Sequence, residues 1–287
     1  MPELPEVEVV RGGLEAAVPG RTVASARVAN PRSVRRHLAG PADFEAQLPG
    51  RAFGVPRRRG KFLWLPFTDG DALVAHLGMS GQFRLDAAAA PLLPHTHVVL
   101  GFADGGPQLR FVDQRTFGGL WLSPGGAELP SDLAHIAPDL FEPGLDLLAL
   151  ARSIRGRHSA IKRVLLDQTV VSGIGNIYAD EALWQARVHP ETPADHLGER
   201  RIRHVLAAAR DVMAEALAQG GTSFDKLYVN VNGSSGYFSR SLNVYGREGE
   251  ACPRCAAPIR RVAFANRSSH FCPRCQRLMA RFSKEHR

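Results

Sequence analysis

Pro2 and Glu3 are the residues whose types and position most directly offer chemistry. If Met1 is removed, the Pro2 ring nitrogen becomes a free secondary amine with a carboxylic acid beside it. An amine that attacks a sugar aldehyde carbon forms a Schiff base. From a secondary amine that adduct is always the charged iminium, an electron sink that favours elimination at neighbouring carbons. An α-amino group has a reference pKa of about 7.7–8.0 against about 10.4 for lysine, so far more of it is unprotonated near neutral pH. The same residues also fit an ordinary initiator stretch in which Pro5 opens a helix, and alone they do not decide between the two.

Four cysteines are the second such group. Cys252, Cys255, Cys272 and Cys275 form C-x2-C-x16-C-x2-C, a zinc-ribbon spacing. Each pair sets two thiolates on one tight turn, and two turns complete a tetrahedral all-sulfur site for one Zn2+. Pro253 and Pro273 stiffen both turns. No Asp, Glu or His completes an open catalytic site, so the metal's expected role is structural. Two disulfides are the alternative. A cytosolic chain argues against them, and the cytosol is the expectation here: no apolar run nears the roughly 20 residues that span a bilayer, and no secretory leader pattern is present.

The cysteines sit in a basic segment. Residues 252–287 carry nine Lys/Arg against one acid, net +8, and the remaining 251 residues balance at 27 of each sign. A polyanionic partner is expected to meet this segment.

Further candidates are weaker singly. Arg57-Arg58-Arg59-Gly60-Lys61 precedes a strand and suits phosphate contact, or is a solvated charge run. His76-Leu77-Gly78-Met79-Ser80-Gly81 places Met79 either as a core filler or as a wedge between bases. Arg115-Thr116-Phe117 sets a base-reading guanidinium two residues from a stacking ring. Gly173-Ile174-Gly175-Asn176 opens a helix whose N-terminus suits phosphate, with Asn176 as a candidate N-cap. Without a preceding strand or the full glycine spacing, it is not a dinucleotide fingerprint.

The elements that must position these groups follow from periodicity. The 287 residues, 44% hydrophobic and 22% charged, are enough for two globular cores. A first helix is expected from Pro5, with Val7, Val10, Leu14 and Val18 as its apolar stripe and Gly20 ending it. Residues 22–123 read as short strands at 62–65, 72–75, 98–100, 109–112 and 120–122, an antiparallel sandwich or barrel. Residues 87–94 read as a variable loop. Helical periods follow at 146–154, 159–167, 176–186 and 196–219, then a polar stretch to 240 and a strand-like Leu242-Asn243-Val244-Tyr245.

Together the motifs resemble the formamidopyrimidine-DNA glycosylase family almost end to end. They comprise Pro2-Glu3-Leu4-Pro5-Glu6, Arg58-Arg59-Gly60-Lys61-Phe62, the His76–Gly81 and Arg115–Gly118 runs, Gly175-Asn176-Ile177-Tyr178-Ala179, Tyr237-Phe238, Leu242–Arg247 and the four cysteines. The resemblance implies an α+β chain: an N-terminal antiparallel β-sandwich with flanking helices (1–130), a linker (131–145), a helix-two-turn-helix domain with a lesion-covering loop (146–240), and a C-terminal four-cysteine zinc ribbon (241–287). It implies a bifunctional glycosylase/lyase that excises oxidised purines from damaged double-stranded DNA, working as a monomer in the cytoplasm at the nucleoid, with no membrane.

By that resemblance Pro2 is the nucleophile and Glu3 the general acid, best served by a pKa raised through burial. Glu6 steadies the N-terminus, and Lys61 lies near the lesion. Met79, Arg115 and Phe117 fill the void left by the extruded base. His76, Asn176, Tyr245 and Arg267 contact phosphates. The chain departs from the family at Thr116, where many members carry a second Arg, which leaves Arg115 the only guanidinium in that run. An endonuclease VIII-like enzyme for oxidised pyrimidines and a non-catalytic zinc-ribbon DNA-binding protein remain as alternatives.

Overall fold

The computed structural model describes residues 2–221 and 241–278. Met1, Tyr237-Phe238 and the expected covering loop beyond Gly221 lie outside the described residues. Two compact units emerge: residues up to His135 with 219–221, and Ile136–Ala218 with the residues from 241 onward. Among the described residues no helix is long and apolar enough to cross a membrane.

The first unit opens with α1 (Leu4–Glu15), with Pro5 in its first turn. Val7, Val10, Leu14 and Val18 are all buried, as their spacing predicts. The helix nevertheless ends at Glu15 rather than at Gly20. The Ala16 and Val18 amides close the last turn on Gly12 and Leu14, and Gly20, at φ +80°, instead donates to the Phe53 carbonyl.

Two four-stranded antiparallel sheets follow, ordered β1-β6-β7-β5 and β2-β3-β4-β8. Their strands are β1 (Val23–Val28), β2 (Arg57–Arg59), β3 (Phe62–Pro66), β4 (Ala72–His76), β5 (Gly81–Asp86), β6 (Thr96–Phe102), β7 (Gln108–Asp113) and β8 (Gly119–Ser123). Helix α2 (Pro41–Gln47) inserts Phe44 into the same apolar cluster, which takes residues from both sheets and from α1. Residues 87–94 are pinned from beneath: the buried Arg110 guanidinium donates to the Ala87, Ala90 and Pro91 carbonyls.

The second unit packs α3 (Leu147–Arg155), α4 (Ile161–Leu166), α5 (Asn176–Gln185) and α6 (Glu199–Ala218) with the hairpin β9 (Arg260–Phe264) and β10 (Arg267–Phe271). Asp146 caps α3 by accepting the Leu148 and Ala149 amides. Leu242–Tyr245 is not a strand. Its amides at Asn243, Val244 and Tyr245 all donate to the buried Glu181 carboxylate of α5, at 2.8–3.1 Å. That carboxylate satisfies the backbone in place of a ladder partner.

Candidate active site

Pro2 and Glu3 are buried at the start of α1. Glu3 and Glu6 form a reciprocal capping box. The Glu3 amide donates to Glu6 Oε2 at 2.8 Å, and the Glu3 side chain accepts the Glu6 amide. The residue after Pro2 is thus fixed to the helix, and Glu6 is the group that fixes it. Gly221, at φ +84°, packs on Glu6; an added Cβ would lie 3.4 Å from Glu6 Cγ.

Glu8 links this corner to the β2–β3 hairpin. Its carboxylate accepts from Arg58 Nε and from Arg11 Nε, both at 2.9 Å. Burial works against its ionisation, but the two guanidinium groups outweigh burial and hold its pKa below the ordinary value. The docked hairpin carries Lys61, only 8% exposed, directly after Gly60 at φ +55°.

Strand register then gathers the other candidates of this unit. Phe62 pairs with His76, and His76 with Gly119. Lys61, His76, the turn with Met79 and the loop with Arg115 and Phe117 therefore leave one end of the sheet. The His76 ring lies 4.8 Å from the Phe62 ring, and its Nδ1 accepts the Gly78 amide. Burial, then repulsion from Arg36, Lys61 and Arg35, lowers its pKa to about 4. It is a neutral imidazole with its proton on Nε2, a donor for an anion.

Met79 and Phe117 are 36% and 45% exposed, so neither is a core filler. Arg115 stands over the Phe117 ring at 5.5 Å. The two loops touch backbone to backbone: a Cβ on Gly78 would lie 2.4 Å from the Gly118 nitrogen.

Two residues that sequence reasoning missed hold this pair. Asp113 accepts the Gly118 amide at 2.7 Å and the Ser80 hydroxyl at 2.5 Å. Arg35 donates to the Phe117 and Gly118 carbonyls at 2.9 and 2.8 Å. Thr116 between them sits at φ +52°, an uncommon conformation for a β-branched residue. Arg35 is spent on carbonyls, so Arg115 is the guanidinium left exposed on this loop.

In the second unit, Asn176 is the first residue of α5 and Gly175 its N-cap, which corrects the expected cap. The Asn176 amide instead donates to the Ser268 carbonyl at 3.1 Å. Arg267 is exposed at the start of β10, next to that carbonyl. The Tyr245 ring meets the His270 ring edge-on at 4.9 Å. Beneath them lies a buried ion pair with no sequence signal. Lys162 Nζ is 2.6 Å from Asp180 Oδ1, and Lys162 also donates to Ser268 O and Ser269 Oγ. Asp180 Oδ2 accepts the His270 amide.

The four cysteine sulfurs all lie within 4.8 Å of one another. Contacts of 3.4, 3.5 and 4.0 Å bracket the sulfur separation of about 3.8 Å that a tetrahedral site with 2.3 Å Zn–S bonds requires. Burial and the neighbouring thiols push Cys275 up to about 12, so four thiolates without a cation are unfavourable. The site fits one structural Zn2+, which crosslinks the two knuckles.

The fold and these sites define a β-sandwich, helix-two-turn-helix, zinc-ribbon protein. Residues 1–120 match the formamidopyrimidine-DNA glycosylase N-terminal domain, 136–227 its H2TH domain, and 249–278 the zinc finger found in FPG and IleRS. The formamidopyrimidine-DNA glycosylase of Nocardioides sp. is 61% identical over 278 residues, 96% of this chain and 94% of the relative. That of Streptomyces coelicolor is 57% identical, over 96% and 98%. Lactococcus lactis Fpg bound to abasic-site DNA superposes with a TM-score of 0.85 at 35% identity, covering 96% of this chain and 100% of that one. The same protein bound to DNA with an oxidised pyrimidine gives 0.87 at 36%, with equal coverage. The chain belongs to the formamidopyrimidine-DNA glycosylase family of base-excision-repair enzymes.

Proposed function

We propose that this chain excises oxidised purines from duplex DNA and cleaves the strand through Pro2. The reading requires the Pro2 nitrogen to be free, with Met1 removed. That nitrogen attacks C1′ of the damaged nucleotide, the N-glycosidic bond breaks, and the base departs with the bond's electrons. Glu3 protonates the sugar oxygen as the ring opens, leaving an iminium on Pro2. The iminium acidifies the adjacent C2′ proton, and β- then δ-elimination expel the two phosphates in turn. Hydrolysis frees Pro2.

Glu6 holds Glu3 in register, and Lys61 neutralises phosphate charge at the lesion. Met79 and Phe117 replace the extruded base in the stack, and Arg115 faces its orphaned partner. His76 Nε2, Asn176, Tyr245 and Arg267 serve as phosphate contacts on the bent backbone. The four cysteines hold the zinc. We divide the chain as 1–130, 131–145, 146–240 and 241–287, and read it as a cytoplasmic, nucleoid-associated monomer.

The observation that carries this reading is the register Phe62–His76–Gly119, which sends a cation, a neutral imidazole donor and two exposed apolar side chains out of one sheet end. Borohydride trapping on duplex DNA with 8-oxoguanine opposite cytosine tests it. The expected result is a covalent adduct that mass spectrometry locates on Pro2, with the strand cut. No adduct, with Met1 confirmed absent and duplex binding intact, would overturn it. A parallel duplex with an oxidised pyrimidine separates the purine reading from the pyrimidine one.

A further inference from the structure

At the far end of α5 from Asn176 lies a cavity of about 420 Å³ that the reading above does not use. Ten helical residues at about 1.5 Å rise each separate the two ends by roughly 15 Å. Arg187, Arg201 and Arg277 line the cavity, and none of them has a carboxylate partner among the described residues. Of the nearby acids, Glu199 pairs with Arg152 and Arg155, and Asp195 with His158 and, at 3.8 Å, with the cavity residue His196, while Glu191 is exposed and is not among the lining residues. No carboxylate lines the cavity among the described residues.

Two donors inside it are nine-tenths buried. His189 is 7% exposed and Thr192 4%. His189 Nδ1 accepts the Glu191 amide, which leaves the proton of the neutral ring on Nε2. Burial keeps that ring neutral, with its pKa near 4. Neither His189 Nε2 nor the Thr192 hydroxyl has a hydrogen-bond partner among the described residues. Both residues line the cavity, which leaves these two donors open to a ligand there. Gly198, also in the lining, leads into the 20-residue helix α6, whose N-terminal dipole favours an anion.

Arg187 is the most telling residue. It sits at φ +54°, just past the C-cap of α5, where glycine would be unstrained. Its amide donates to the Trp184 carbonyl, the next amide, of Val188, donates to that of Leu183, and Arg201 donates to the Arg187 carbonyl at 2.9 Å. Val188 and Leu197, 3% and 4% exposed, add an apolar part to the lining. Three guanidinium groups and apolar side chains lining one volume of small-molecule size fit a ring that carries a phosphate.

We propose that this cavity is a second ligand site that takes a phosphorylated ligand of mononucleotide size, apart from the DNA-contacting face. Calorimetric titration of the zinc-loaded full chain tests it, with deoxyadenosine 5′-monophosphate, deoxyadenosine and inorganic phosphate as probes. Each is run alone and with saturating duplex bearing a non-cleavable abasic analogue.

The nucleotide is expected to bind one to one, at least 10-fold tighter than either fragment, with duplex present or absent. Arg277→Gln and Arg187→Gly should each weaken it about 10-fold and leave duplex affinity unchanged. Arg187→Gly also relieves the left-handed strain, so a loss of binding with a raised melting temperature separates ligand contact from misfolding. Equal binding of nucleotide and deoxyadenosine, or unchanged affinity in both variants, would overturn the proposal. Inorganic phosphate matching the nucleotide would overturn its size class. Displacement by duplex, with both variants weakening duplex binding, would make the cavity a DNA-phosphate contact instead.

Discussion

In the sandwich unit the loops bearing Met79 and Phe117 meet backbone against backbone, with Asp113 and Arg35 bonded to the loop that carries Phe117, whereas in the second unit the zinc hairpin and the 242–245 turn are held by buried charge. The first arrangement needs glycine at Gly78 and Gly118 because no Cβ fits. The second needs Lys162, Asp180 and Glu181, each 0–1% exposed and each satisfied by amides, carbonyls or a counter-ion. Steric contact tolerates water and leaves apolar tips exposed. Buried charge is rigid only while every partner is present. The two halves should therefore fail differently.

Metal removal is the harshest test of the charged half. Structural Zn2+ in small ribbons is worth about 10–16 kcal/mol of apparent binding energy at pH 7. Chelation, or Cys272→Ser, should abolish the ribbon's ordered amide signals and cut duplex affinity by more than about 100-fold. The sandwich unit, with its own apolar cluster, should keep its signals. Loss of both sets together would mean that the two halves do not fail separately.

Asp180→Ala comes next. It strands a buried ammonium, and breaking such a pair costs about 3–5 kcal/mol. Urea unfolding should show the full loss in Asp180→Ala, with much of it recovered when Lys162→Met is added. If the double variant is no better than the single, the energy lies in the His270 amide bond to Asp180 and not in the ion pair.

Gly78→Ala probes the steric half. The new methyl meets the Phe117–Gly118 backbone at 2.4–2.5 Å, on a residue already at φ +63°. Overpacking and strain of this kind cost about 1–3 kcal/mol. The loops should part, so a melting-temperature drop of several degrees should accompany weaker binding to lesion duplex. Unchanged binding would detach the loop pair from recognition.

The same contrast explains what the sequence disclosed. Cysteine spacing, the turn glycines and the strands at 62–65, 72–75 and 120–122 are local signals and stand in the fold as read. Strand β2 is three arginines and reads locally as a charge run, because its strand character comes from pairing with Phe62–Trp64. Strands β1 and β5, with their mixed polar patterns, and the short helix α2 escape for the same reason: tertiary partners decide them. Lys162, Asp180 and Glu181 look like ordinary helix charges, since nothing local distinguishes a solvated acid from one that caps three amides 62–64 residues away. Arg35 and Asp113 act on a loop at long range or through backbone, which no motif records.

The gentlest test sets His76 against His189, one in each unit. Both stay neutral in the fold with pKa near 4, His76 through burial and then the charges of Arg36, Lys61 and Arg35, His189 through burial alone. An unfolded histidine titrates near 6.5, so between about 6.5 and 4 the unfolded chain binds protons that the folded chain refuses. These residues therefore leave stability unchanged above about pH 6.5 and lower it as pH falls toward 4. Imidazole NMR shifts of the zinc-loaded protein should show neither ring titrating between pH 7.5 and 5. Duplex DNA should then separate them. A phosphate at His76 Nε2 offsets the three cations and favours the imidazolium, so its pKa rises and duplex binding takes up a proton below about pH 6.5. His189, whose shift owes nothing to those cations, should stay where it was. A duplex that moves His189 and leaves His76 unmoved would remove His76 from the phosphate contacts and place DNA at the opposite end of α5.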